Sequence, residues 1–117
     1  MAKKILVIDD DPITVKYLVS VFTDNGYETC TANDGVQAYD VVKKEKPDMI
    51  TLDLEMPEEW GTKFYRKLRK EKEFKELPVI IISGMASRHL AVKDAVAYLS
   101  KPFDVDKLIG IVRKTLG

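Results

Sequence analysis

The stretch DMITLDLEMP, residues 48 to 57, decides how the rest of the chain is read. Its segment MITL delivers Asp53 at the end of a run, and Glu55-Met56-Pro57 then turns the backbone away. Such a segment reads as a buried strand, and a carboxylate at its carboxyl end stands where open α/β sheets bind their ligands. Two other stretches arrive in the same way. ILVIDDD places Asp9, Asp10 and Asp11 after residues 5 to 8, and VIIISG places Ser83 after residues 79 to 82.

Outward from this stretch, the other elements fall into place by pattern. Residues 3 to 8 predict a first strand, and Pro12 suits the first turn of a helix. Ile13, Tyr17, Leu18, Val21 and Phe22 recur at helical spacing and predict one apolar stripe, ending at Asn25-Gly26. Residues 27 to 32 form a short second strand closed by Asn33-Asp34-Gly35, and Ala38, Val41 and Val42 mark a second helix to about Glu45. After Pro57 comes a helix with Phe64 and Leu68 inward and a very polar outer face, YRKLRKEKEFKE, read as mostly solvated, with a partner-binding patch as the alternative. Pro78 opens a fourth strand, residues 96 to 99 a fifth, and Asp104 caps a last helix with the stripe Val105, Leu108, Ile109 and Val112.

Five strands alternating with helices predict a parallel sheet with helices on both faces, because parallel strands need right-handed crossovers. At 117 residues the chain holds one such domain, residues 1–117. Nineteen acidic residues balance nineteen basic ones, so no net field favours nucleic acid or an anionic membrane surface. The single cysteine, Cys30, has no second to pair with, which suits a reducing compartment. No apolar run approaches the roughly 20 residues of a membrane span, and no signal peptide is evident, so a cytoplasmic protein without membrane insertion is expected.

In a doubly wound sheet the first and third strands are neighbours at the topological switch point, which gathers Asp9, Asp10 and Asp53 at one edge. Carboxylates that close repel one another and stay ionised together only beside a cation. Magnesium takes one or two carboxylates plus water and phosphate oxygens, so the cluster implies Mg²⁺, and Mg²⁺ beside a carboxylate implies phosphate. Lys101 offers a point charge for a phosphoryl group and Ser83 a hydrogen bond. A carboxylate nucleophile with these companions makes a site for an aspartyl-phosphate. Asp11, next to Pro12, is read as a helix N-cap instead of a ligand.

These residues resemble the receiver domain of two-component response regulators over essentially the whole chain. The matching pieces are VIDDDP at 7 to 12, LDLEMP at 52 to 57 followed by Gly61, IIISG at 80 to 84 and YLSKPF at 98 to 103. The resemblance implies a flavodoxin-like sheet of order 2-1-3-4-5. It implies that Asp53 accepts phosphate, with Mg²⁺, from a histidine kinase or histidine phosphotransfer protein to regulate an output domain or downstream protein. By position Asp9 and Asp10 resemble the metal-site acids, Asp10 ahead of Asp9 as the direct ligand. The Glu55 backbone carbonyl resembles the third protein ligand. Ser83 resembles the switch hydroxyl, Lys101 the phosphate-binding lysine and Tyr98 the aromatic switch. Such a chain is no enzyme beyond its own autophosphorylation and autodephosphorylation.

Two other readings are open. A phosphatase of the haloacid dehalogenase type also uses a strand-end aspartate, but Asp53-Leu54-Glu55 lacks that motif's second aspartate. A pseudo-receiver would bind partners without phosphate. Departures from the family pattern keep the second reading in view. Ser83 and Lys101 are eighteen positions apart, about one helical turn short of the usual receiver spacing, which predicts a shortened fourth helix between them. Gly84 stands where alanine is commoner, Asp94-Ala95 where Gly-Ala is usual, and Trp60 beside Gly61 brings a large ring close to the site. Glu55 places a side chain where the family tunes hydrolysis. The sole histidine, His89, is expected at the surface.

Overall fold

The computed structural model describes residues 2–56, 60–84 and 94–117, with Trp60 described by its backbone alone. Five strands, β1 (Lys4–Ile8), β2 (Glu28–Ala32), β3 (Met49–Asp53), β4 (Val79–Ser83) and β5 (Ala97–Ser100), form one parallel sheet of order β2-β1-β3-β4-β5. Helices α1 (Pro12–Asp24), α2 (Gly35–Glu45), α3 (Trp60–Lys70) and α4 (Val105–Leu116) cover it, and a 3-10 turn, Lys72–Phe74, follows α3. The predicted shortened helix falls in the crossover from Gly84 to Ala95. Most of that crossover, with His89, lies outside the described residues, as does the ring of Trp60.

Strand alternation decides which helix covers which face. Leu6, Ile8, Ile50, Leu52, Val79 and Ile81 point to one side, where Ala38, Tyr39 and Val42 of α2 and Phe64, Tyr65 and Leu68 of α3 meet them. Ile5, Val7, Met49, Ile80, Ile82 and Leu99 point to the other, against Leu18 and Phe22 of α1 and Leu108, Ile109 and Val112 of α4. β3 and β4 are buried along their full length, as central strands of a sheet covered on both faces must be. Each fully buried Leu, Ile or Phe stabilises the fold by about 1.5–3 kcal/mol relative to exposure. Thr51 is the exception in β3, because its buried hydroxyl has no hydrogen-bond partner among the described residues.

Helix ends follow local chemistry. Asp11 caps α1, its carboxylate accepting from the Ile13 amide at 3.1 Å and the Thr14 hydroxyl at 2.7 Å. Asn25 ends the helix, and Gly26 takes φ 89°, a conformation in which a side chain is strained. Asp34 and Asp104 cap α2 and α4 through the amides of Gln37 and Asp106.

One sequence expectation needs correction and a second gains detail. The stripe of α1 is narrower than its spacing predicted: Leu18 and Phe22 are buried, but Ile13 is 78% and Tyr17 50% exposed. The Tyr17 ring lies instead near that of Phe103, tilted with centroids 6.2 Å apart, and Ile13 borders the same concavity. The polar face of α3 is not all solvated. Arg69 lies over the Tyr65 ring and donates to the carbonyls of Phe74 and Leu77 at 3.1 and 2.7 Å, closing the turn into β4. Lys67 stands 4.0 Å from the centre of the Tyr39 ring, whose hydroxyl donates to Glu71 and ties α2 to the end of α3.

Candidate functional site

Register brings the acids together. Ile8 pairs with Leu52 across β1 and β3, so the next residues, Asp9 and Asp53, leave the sheet side by side. β3 and β4 run in step to Asp53 and Ile82, which sets Ser83 beside the same opening. From the far side, the Lys101 amide donates to the Ser83 carbonyl at 3.0 Å, seating the lysine just beyond β5. The peptide bond from Lys101 to Pro102 is cis.

The floor is almost closed to solvent, with Asp9 2% and Asp53 3% exposed. Asp9 is held at both oxygens: Oδ1 accepts from the Asp11 amide at 2.9 Å, and Oδ2 from Lys101 Nζ at 3.1 Å. Asp53 Oδ1 accepts from the Glu55 amide at 2.9 Å, while Oδ2 faces Lys101 Nζ at 3.6 Å. Asp10 is exposed at the rim, and one oxygen from each of Asp9, Asp10 and Asp53 lies within 4.8 Å of the others. Asp11 stands apart from this cluster and acts as the cap described above.

Electrostatics follow from that crowding. Burial pushes the Asp53 carboxyl up to about 6; the Glu55 amide and the Lys101 charge oppose the rise, and the Asp9 charge adds to it. Burial alone would lower the Lys101 ammonium, but the charges of Asp53 and Asp9 outweigh it and hold the ammonium above its ordinary value. Three clustered carboxylates, two of them against a single ammonium, leave unbalanced negative charge among oxygen donors only. A hard divalent cation of the Mg²⁺ kind fits that donor set.

The remaining predicted residues take distinct places. Ser83 is fully buried, and its hydroxyl donates to Glu55 Oε1 at 2.9 Å. Tyr98 is half-buried and packs against the α2 and α3 side of the core, opposite Ile81 in register. Gly61 is required by packing, since a Cβ there would stand 2.5 Å from the Asp53 carbonyl oxygen and 2.9 Å from the Leu54 Cα. Sequence reasoning placed Glu55 near the site but missed the reach of its side chain to Ser83. The one available signal was the glycine at position 84, which leaves room for that carboxylate.

A further feature borders the opening. Ile13, Tyr17 and Phe103, with Pro102, line an open concavity of about 340 Å³ beside Lys101. Ile13 and Tyr17 are its exposed apolar side chains, while Phe103 is partly buried against the core.

The sequence model of the response regulator receiver domain matches residues 5–113. Rrf1 of Nitratidesulfovibrio vulgaris is 35% identical over 116 residues, covering 99% of this chain and 84% of that protein. The polar-differentiation response regulator DivK of Brucella anthropi is 27% identical, covering 100% of this chain and 98% of its own. Among solved structures, the chemotaxis response regulator CheY4 of Vibrio cholerae superposes with a TM-score of 0.88 at 27% identity, over 98% of this chain and 99% of that one.

Proposed function

The chain belongs to the response regulator receiver family, and on that premise we propose that residues 1–117 act as one phosphoacceptor domain that takes a phosphoryl group onto Asp53. Receiver domains are signalling domains and not conventional enzymes, so the chemistry proposed is the domain's own phosphorylation and its reversal. The observation that carries the reading is the buried Asp53 carboxylate with one oxygen held by the Glu55 amide and the other facing Lys101.

In the proposed reaction Oδ2 of Asp53 attacks the phosphorus of a phosphohistidine. The P–O bond forms as the P–N bond breaks, and the departing imidazole takes up a proton. At neutral pH the carboxyl, with its value near 6, is mostly ionised and competent to attack. Lys101 balances charge on the transferring group, and Ser83 supplies a hydrogen bond to it. Mg²⁺ held by Asp9, Asp10, Asp53 and the Glu55 main-chain carbonyl would neutralise phosphoryl oxygens. Water then attacks the phosphorus, the bond between phosphorus and Asp53 Oδ2 breaks, and inorganic phosphate leaves with the carboxylate restored and a proton released.

The proposed phosphodonor is a histidine kinase or histidine phosphotransfer protein, and the exposed Ile13 and Tyr17 beside Lys101, with the partly buried Phe103, support docking of such a protein at this edge. Ser83 and Tyr98 are the proposed switch residues through which an output domain or downstream protein is regulated, by shifting population between two arrangements. No helix among the described residues is long and apolar enough to cross a membrane, and a cytoplasmic location is proposed.

Incubation with Mg²⁺ and acetyl phosphate, read by intact mass, tests the proposal. One phosphate is expected on the wild type and none on Asp53→Ala. Equal labelling of both proteins, or of neither, would replace this reading with a phosphate-independent pseudo-receiver.

A further inference from the structure

Glu55 makes two contacts of different kinds at the site. Its amide supports Asp53, while its carboxylate crosses from the β3 side to the end of β4 and accepts the Ser83 hydroxyl at 2.9 Å. Gly84 makes the crossing feasible. A Cβ at that position would stand 2.8 Å from Glu55 Oε1 and 3.3 Å from Oε2, so any other residue there would force the carboxylate away. The same carboxylate lies close enough to Lys101 to raise the proton affinity of its ammonium. Glu55 therefore engages the hydroxyl that a phosphoryl group on Asp53 would use.

We propose that Glu55 is a positioning residue that acts as an internal competitor: in the resting chain its carboxylate holds the Ser83 hydroxyl, and seating an anion on Asp53 requires it to let go. The proposal rests on the reading of Asp53 as the phosphoacceptor and adds a resting-state partner for the switch hydroxyl. A hydroxyl donating to a carboxylate makes a charge-assisted bond, stronger than a bond to a neutral acceptor. Breaking it, and bringing a second anion up to Glu55, both weigh against phosphorylation. Glutamine at 55 would keep the acceptor oxygen and lose the charge, whereas alanine would lose both.

Two measurements on the intact chain test this. The first is calorimetric titration with beryllofluoride, a phosphoryl analogue, in Mg²⁺. Glu55→Ala is expected to bind about tenfold more tightly than wild type, on the scale of one charge-assisted hydrogen bond, with Glu55→Gln between them. Gly84→Ala is expected to tighten binding in the wild-type background, by displacing the carboxylate, and to have no effect in the Glu55→Ala background. The second measurement is urea unfolding without metal or phosphate, in a cycle of Glu55→Ala, Ser83→Ala and the double variant, where non-additive losses are expected. Additive losses, wild-type affinity in Glu55→Ala, or an equal effect of Gly84→Ala in both backgrounds would overturn the role of Glu55. If Asp53→Ala binds beryllofluoride as the wild type does, the phosphoacceptor reading fails and the competition with it. The unfolding cycle then separates that failure from a missing Glu55–Ser83 bond.

Discussion

Lys101 donates to Asp9 at 3.1 Å although the two residues are 92 positions apart and their strands, β1 and β5, are separated in the sheet by β3 and β4. The lysine thus reaches over the carboxyl end of β3 to pair with a buried acid, passing 3.6 Å from Asp53 Oδ2 on the way. Replacing it with methionine keeps the stem and removes the charge. Asp9 and Asp53 are then buried together without a cation, and leaving a buried charge unpaired is costly. Lys101→Met is expected to lose about 2 kcal/mol in metal-free urea unfolding at pH 7, part of which Mg²⁺ restores. Stability unchanged from wild type would show that the pair is not a structural contact.

The raised Asp53 carboxyl sets a pH dependence. Its folded value of about 6 lies above the ordinary 3.8, so the fold favours the protonated acid. That contribution is fully present below 3.8 and is lost as pH rises through about 6, a difference of ~3 kcal/mol at most. Asp53→Asn removes the charge that burial disfavours. Without Mg²⁺ the variant is expected to be more stable than wild type at pH 7 and to lose that advantage by pH 4. Mg²⁺ at pH 7 should narrow the gap by stabilising the wild type. Urea midpoints at both pH values, with and without Mg²⁺, check this.

Gly61 holds the start of α3 against the end of β3. A methyl group there would meet main-chain atoms of Asp53 and Leu54, which cannot swing aside as a side-chain tip can. Gly61→Ala is expected to cost about 1–3 kcal/mol in urea unfolding and to lower the yield of acetyl phosphate labelling as Asp53 shifts. Full stability and full labelling together would contradict the close packing.

Cys30 is partly buried on β2, and burial with the nearby Glu45 charge pushes its thiol up to about 11 against the opposing charge of Lys4. The thiolate is the reactive form, so at pH 8 almost none is present. Iodoacetamide is expected to label the native chain at least tenfold more slowly than the chain in urea, as read by mass. Equal rates would show the thiol to be open and unperturbed.

How much of this was legible in the sequence depended on whether a feature is local. The runs ILVI, MITL and VIII specified buried strands, and because a strand delivers its next residue to the sheet edge, Asp9, Asp53 and Ser83 could be gathered before any coordinates. Asp11 as a cap also follows from short-range pattern, whereas the sheet order 2-1-3-4-5 came from the resemblance to the receiver family. The exposure of Ile13 and Tyr17 did not follow from pattern, since helical spacing reports a face but not how much of that face the core covers. Arg69 was read as solvated because its partners, the Phe74 and Leu77 carbonyls, are invisible in a side-chain pattern. The Glu55–Ser83 bond joins residues 28 positions apart through the rotamer of an exposed side chain, which no periodicity encodes.

Thr51 sits two residues before Asp53 on β3, fully within the core, with a hydroxyl that meets no hydrogen-bond partner among the described residues. Burying such a group unpaired costs about 1–3 kcal/mol, and valine has nearly the same shape without it. The strand that ends in Asp53 is therefore not at its stability optimum. That gives an engineer headroom at one internal position, from which losses caused by altering the acidic opening can be offset without touching the opening itself.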